Sequence, residues 1–292
     1  MDTLTTLADF FTQPLQFAFV QRALLVAVVA GLACAVLSCW MTLMGWSLMG
    51  DAVSHAVLPG VVLSYLLGAP FAVGALVFGT GSVALIGALN RTSRVKEDAL
   101  IGVVFTAMFA LGLVLISRTP SQTDLGHILF GNVLGVSNTD IAQILALATL
   151  VLALVWYKHR DLTLYAFDPV HAHAIGLNPR RLEALLLGLL ALTVVVALQA
   201  VGIILVVAMV IIPGATAYLL TDRFEHMLPI SAAIAAAAAV LGVFTSFHLN
   251  ISTGGTIVLT QAGAFTLAYL LSPRQGLLTR TRRRKQAHTA RA

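Results

Sequence analysis

Apolar runs of roughly twenty residues, separated by short polar breaks, follow one another along the whole chain. At roughly 20 apolar residues per crossing, these runs predict helices at 20–44, 47–67, 70–90, 99–117, 139–157, 182–200, 202–220, 228–247 and 254–272. The expected fold is all-α: a polytopic helical membrane protein of about nine transmembrane helices, with eight and ten as the neighbouring counts. The first run has Asp2, Asp9 and Arg22 around its start and lacks a basic leader and a small-residue cleavage site, so it reads as a retained helix. The chain, 1–292, reads as a single membrane domain, with a cytoplasmic segment at 165–179 and a basic cytoplasmic tail at 273–292.

Composition supports that picture. Hydrophobic residues make up 59% of the chain and charged ones 10%, and the mean hydropathy is +0.95, too apolar for a water-soluble core and surface. The charge that remains reports orientation. Arg91, Arg94 and Lys96, then Lys158, Arg160, Arg180 and Arg181, then Arg223, then the tail from Arg280 to Lys285 fall on alternate loops. Under the positive-inside rule those loops and the C-terminus are cytoplasmic, and the loops holding Arg118 with Asp124, and His248 to Gly255, face out. The net charge of +5 is then mostly topology and contact with anionic lipid headgroups; a nucleic-acid role for the basic tail ranks well below it.

Two polar interruptions stand out. The segment from Arg118 to Ser137, with Pro120, Gly126, Gly131 and Gly135, is too broken for a span but holds an apolar stretch near Ile128 to Leu134, as a short re-entrant or interfacial helix on the outer side would. The segment from Tyr165 to Pro179 carries Phe167-Asp168-Pro169, where Asp168 can cap a short helix opened by Pro169. Cys34 and Cys39 lie in one run at a spacing that shares no face, and read as packing residues. The chain has no CxxC, HExxH, GxSxG or Walker A motif and no Gly-Lys dipeptide, so any ATP must be hydrolysed by another chain.

The second run holds the candidate chemistry. Asp51 and His55 are four residues apart and share one helical face. A carboxylate at the bilayer centre costs roughly 2.5–3.5 kcal/mol on insertion scales, which marks it as a functional candidate. With the helix starting near Gly45, Asp51 lies about 9 Å and His55 about 15 Å along it, close to the midplane where transporters bind substrate. Pro59 removes the helical donor for the His55 carbonyl, and Gly60 loosens the same turn. Oxygen and nitrogen ligands of this kind suit Mn²⁺, Fe²⁺ or Zn²⁺, without the thiolates that favour Cu(I). The same pair also serves as polar glue, with each other, with Ser54 or with a neighbouring helix, or as a proton relay. Pro213 leaves the Met209 carbonyl undonated and kinks the seventh run, as a gating hinge or a static packing kink.

The run Gly45-Trp-Ser-Leu-Met-Gly-Asp-Ala-Val-Ser-His-Ala-Val-Leu-Pro-Gly60 resembles the signature of permease subunits of ATP-binding-cassette importers for manganese, iron and zinc. Lys96-Glu-Asp-Ala-Leu-Ile-Gly102, Leu129-Phe-Gly131, Phe167-Asp-Pro169 with Ile175-Gly-Leu177, and Leu198-Gln-Ala-Val-Gly202 leading to Ile212-Pro-Gly-Ala-Thr-Ala217 resemble that family's blocks in the same order. The resemblance implies a dimeric channel in the bacterial inner membrane, with a second permease subunit, identical or different. It also implies an extracytoplasmic metal-binding protein that delivers the ion and a cytoplasmic ATP-binding subunit dimer that drives it. Asp51 and His55 match the family's metal ligands, and the Tyr165–Pro179 segment, with Phe167, Asp168, Pro169, Ile175, Gly176 and Leu177, looks like the helix that couples to the ATPase.

The other histidines carry less. His171 and His173 sit on that segment, His159 and His226 among loop charges, and His127 and His248 on outward loops without a partner at ligand spacing. A secondary carrier would need coupling ions and a repeated broken-helix site that the chain lacks. A membrane metalloenzyme would need a third deep ligand, and Glu183 is only at the start of the sixth run. Trp46, Ser47 and Met49 give the signature a form associated more with manganese and iron than with zinc, so Mn²⁺ is the expected cargo, Fe²⁺ next, with a zinc permease of the same family as the alternative. No permanently bound cofactor is expected.

Overall fold

The computed structural model describes residue 10, residues 12–118 and residues 135–272. All labelled elements are helices: α1 Ala18–Met44, α2 Ser47–Ala56, α3 Leu58–Leu66, α4 Phe71–Thr92, α5 Glu97–Arg118, α6 Asn138–Phe167, α7 Pro169–Ala174, α8 Pro179–Val201, α9 Ile203–Leu220, α10 Phe224–Leu249 and α11 Thr253–Leu271. Among the described residues, eight stretches are long and apolar enough to cross a membrane, with α2 and α3 acting as one from Leu48 to Leu66, and Leu205–Leu220 is a shorter apolar helix. At 18 residues α9 is about 27 Å long, near the lower limit for a span. The predicted re-entrant stretch near Ile128 to Leu134, the Leu129-Phe-Gly131 block and the basic tail lie outside the described residues.

Local chemistry explains most of the boundaries. Proline at position 59 cannot donate to the His55 carbonyl, and the second span breaks at Val57, with the helix restarting at Leu58 and Pro59 in its first turn. Ser137 and Asp140 form a reciprocal capping box at the start of α6. Asp168 caps α7 by accepting from the N–H groups of Val170 at 3.0 Å and His171 at 2.8 Å, with Pro169 opening the helix. Asn178 caps α8, and Gly202, at φ 82°, separates α8 from α9.

α6 departs from expectation. The hydropathy pattern ends its span at 157, yet the helix runs to Phe167, and Lys158 and Arg160 lie on it and not in a loop. Its 30 residues span about 45 Å, longer than the hydrocarbon layer. Charged residues carried on an unbroken backbone need no loop; Lys158 Nζ reaches Asp161 Oδ2 at 2.8 Å on the next turn.

α1, α2–α3 and α8 form the inside of the bundle. Their apolar windows are 67, 72 and 67% buried, against 22% for α4, α5 and α6. The core is Leu37, Trp40 and Met41 of α1 with Leu58, Ile144, Leu186, Leu190, Met209 and Ile257. α3 and α4 form a close hairpin. A Cβ on Gly60 would overlap the Gly74 carbonyl oxygen, and one on Gly74 would overlap that of Gly60, while Ser64 Oγ accepts the Gly74 N–H at 3.0 Å. Gly60 therefore serves close backbone approach, a role in addition to loosening the turn after Pro59. Gly60→Ala and Gly74→Ala are each expected to cost about 1–3 kcal/mol by overpacking. A lower thermal unfolding midpoint of the detergent-purified chain checks this; an unchanged midpoint in both contradicts the close crossing.

Candidate cation site

α2 is a ten-residue helix whose single polar face carries Asp51 and His55 about 6 Å and 12 Å along it from Ser47. His55 Nδ1 lies 3.1 Å from Asp51 Oδ1 and 3.1 Å from the Asp51 carbonyl oxygen. The carbonyl beside the imidazole is therefore that of Asp51; the His55 carbonyl is met by a backbone N–H of the helix C-terminal cap. The side chains are 20% exposed at His55 and 30% at Asp51, so the pair is open on one side.

The rest of the surroundings is apolar. The edges of Phe105 and Phe109 on α5 meet the His55 ring at centroid distances of 5.4 and 5.1 Å, with interplanar angles of 67° and 71°. Ser54 does not join the pair: its buried hydroxyl donates to the Gly50 carbonyl at 2.7 Å. Gly50 lies against α9, where an added Cβ would sit 3.0 Å from Val210 Cγ1. No neighbouring helix offers an acidic or imidazole partner, since no group of three His, Cys, Asp or Glu converges among the described residues. The pair thus bonds internally and does not tie α2 to another helix by a polar contact.

Its spacing suits a cation. Two ligand atoms at 90° on arms of about 2.1 Å are about 3.0 Å apart, close to the 3.1 Å between Nδ1 and Oδ1. A proton occupies the same gap as an ordinary hydrogen bond. The arrangement can hold either, and in the cation-bound form Nδ1 must present its lone pair, with the proton on Nε2.

The other sequence candidates fall elsewhere. His248 Nε2 is taken by the Phe10 carbonyl at 2.9 Å, with the two rings stacked 4.3 Å apart. His159 Nδ1 pairs with the Trp156 carbonyl at 2.7 Å, and His171 and His173 are exposed on α7. His127 lies outside the described residues. Cys34 and Cys39 are free and buried. Phe167, Val170 and Ile175 are exposed apolar residues around α7, and a cleft of about 460 Å³ opens beside it, lined by His173, Gly176, Leu177, Asn178, Pro179 and Arg180.

Two features escaped sequence reasoning. Phe105 and Phe109 are ordinary apolar residues of a span, and nothing local marks them as neighbours of His55. Ser38 on α1 bonds the backbone on either side of Pro213: its hydroxyl donates to the Ile211 carbonyl at 3.1 Å and accepts the Gly214 N–H at 2.9 Å, while the Met209 carbonyl that the proline leaves undonated is not among its partners. The backbone at Pro213 is thus tied to α1 by a side chain 173 residues before Ile211.

A bundle of apolar helices with a carboxylate–imidazole pair on a proline-broken inner helix defines a multi-pass membrane protein. Residues 16–272 match the sequence model of the ABC 3 transport family, and the chain belongs to that family. It is 50% identical over 276 residues, 94% of this chain and 90% of the relative, to the manganese transport system membrane protein MntB of Synechocystis sp.. It is 48% identical over 267 residues, covering 91% and 90% of the two chains, to the chelated iron transport system membrane protein YfeD of Yersinia pestis. Among solved structures, PsaBC from Streptococcus pneumoniae in complex with a Fab contains a chain that is 41% identical, with a TM-score of 0.85 over 92% of this chain and 97% of that one.

Ser38→Ala would leave the Ile211 carbonyl and the Gly214 N–H without that partner, and is expected to cost about 1–2 kcal/mol. Thermal unfolding in detergent checks this. Ser38→Thr, which keeps the hydroxyl, should recover part of the loss; equal stability of all three chains would show that the stitch contributes nothing.

Proposed function

We propose that the chain is the permease subunit of an ATP-binding-cassette importer that carries a divalent transition metal ion, Mn²⁺ first and Fe²⁺ next, across the bacterial inner membrane into the cytoplasm. The observation that carries this reading is the half-open Asp51–His55 pair, whose 3.1 Å spacing suits two neighbouring positions on one ion. Membership of the ABC 3 transport family and the manganese and iron named for its relatives support it. Zn²⁺ falls third because neither of those relatives is named for it.

Two side chains give a modest site, as a carrier that must release its cargo requires. A second permease subunit, related by a two-fold axis, would bring a second pair to the same pathway and cover the open side. An external metal-binding protein delivers the ion. ATP is hydrolysed by a separate cytoplasmic subunit dimer, because the sequence holds no phosphate-binding loop. That dimer docks at α7, where Asp168 and Pro169 fix a short helix and Phe167, Ile175, Gly176 and Leu177 flank it. The Lys and Arg distribution supports placing this end and the C-terminus in the cytoplasm. Pro59 and Pro213 mark the two places where inner helices can change angle as the pathway turns inward.

In cells expressing the chain with its ATPase and binding protein, His55→Ala and Asp51→Asn are expected to lower Mn²⁺ uptake by roughly tenfold or more at equal membrane abundance. Wild-type uptake by both variants overturns the site. Parallel uptake of Fe²⁺ and Zn²⁺ ranks the cargo. For the docking face, Phe167→Ala with Ile175→Ala is expected to reduce the ATPase retained on the purified permease severalfold while leaving Mn²⁺ binding to the permease unchanged. Retention equal to wild type would place the ATPase elsewhere.

A further inference from the structure

We infer that Phe105 and Phe109 of α5 are positioning residues that fix the imidazole plane of His55 and so set the affinity of the Asp51–His55 pair for a divalent cation. The inference rests on the reading of that pair as the transport site. Among the described residues His55 has polar partners on one ring edge, where Nδ1 meets Asp51 Oδ1 and the Asp51 carbonyl. These contacts hold the Nδ1 edge of the ring but leave the imidazole free to tip about it. The two phenylalanines remove that freedom: they stand four residues apart on one face of α5 and both meet the ring nearly edge to face, at 5.4 and 5.1 Å.

α5 is itself held close at this level. A Cβ on Gly112 would come within 2.7 Å of Leu58 Cγ, so α5 packs tightly against the first residue of α3, immediately beyond the break that ends the α2 face. The clamp and the pair therefore belong to one packed unit. A ligand atom held to within a fraction of an ångström binds a metal better than one that wanders, and the orienting shell contributes accordingly. Because neither phenyl ring has a donor atom, their effect on the ion acts wholly through His55.

The test is titration of Mn²⁺ into the purified full-length chain in lipid nanodiscs, following the loss of the free-ion EPR signal. Phe105→Leu and Phe109→Leu are each expected to weaken the Kd roughly three- to tenfold, and Phe109→Tyr, which keeps the ring, to stay near wild type. Phe265→Leu, on α11 away from the site, should bind as wild type and controls for loss of an aromatic side chain. The thermal unfolding midpoint separates positioning from folding: weaker binding at an unchanged midpoint supports the clamp. Unchanged Kd in both leucine variants, or weaker binding only where the midpoint falls, overturns it. His55→Ala separates this result from the reading beneath it. Loss of binding in His55→Ala with no effect of the leucine variants defeats the clamp alone, whereas wild-type binding by His55→Ala, or none by the wild-type chain, defeats the site itself.

Discussion

A backbone group at membrane depth has no water to turn to, so every break in a helix there must be made good by protein. Proline removes a backbone donor at two places beside the Asp51–His55 face, Pro59 and Pro213, and the chain handles the two differently. At Pro213 the helix runs on, and a side chain from another helix ties in the backbone beside it: Ser38 lends one hydroxyl to both the Ile211 carbonyl and the Gly214 N–H. At Pro59 the chain ends one helix and starts another, with the Val57 N–H reaching back to the Val53 carbonyl at 3.2 Å and the Val61 N–H reaching the Val57 carbonyl at 3.1 Å. The first solution locks α9 to α1. The second leaves α2 as a short separate rod whose polar face can carry a titratable pair without interrupting a longer ladder.

How much of this was legible follows from the range of the interactions. The spans were read to within a few residues because hydropathy at twenty-residue length is a direct record of the bilayer. The α7 segment was legible because Asp168, Pro169 and Asn178 act on their own neighbours. The end of α6 was missed because a hydropathy window stops where charge begins, while helical backbone continues through Lys158 and Arg160. Asp51 and His55 were found from their spacing of four, but their surroundings were not. Phe105 and Phe109 come to His55 only after α5 has packed on α2, and a phenylalanine within a span is silent about its neighbour. Ser38 is equally silent, being one small hydroxyl in an apolar run.

The pair's half-open state has a physical reading of its own. An ion pair facing hydrocarbon would be expensive, and one wholly enclosed could neither receive nor release an ion. At 20% and 30% exposure it occupies the intermediate case, with α5 closing one side and the opposite side uncovered in the single chain. An uncovered polar surface at membrane depth must meet water or another polypeptide. A pathway shared between two subunits, as proposed above, would supply both.

The two proline sites are also joined through packing. Gly50 precedes Asp51 and lies against Val210, where even a methyl group would sit 3.0 Å from Cγ1. Val210 is one residue before Ile211, whose carbonyl Ser38 holds. The site, the tight contact with α9 and the tied backbone at Pro213 therefore lie within about one helical turn of each other along α9. At this level α2 packs closely on α9. The backbone at Pro213 is tied to α1, which is among the most enclosed long helices, so α1 and α9 form one packed unit at this level.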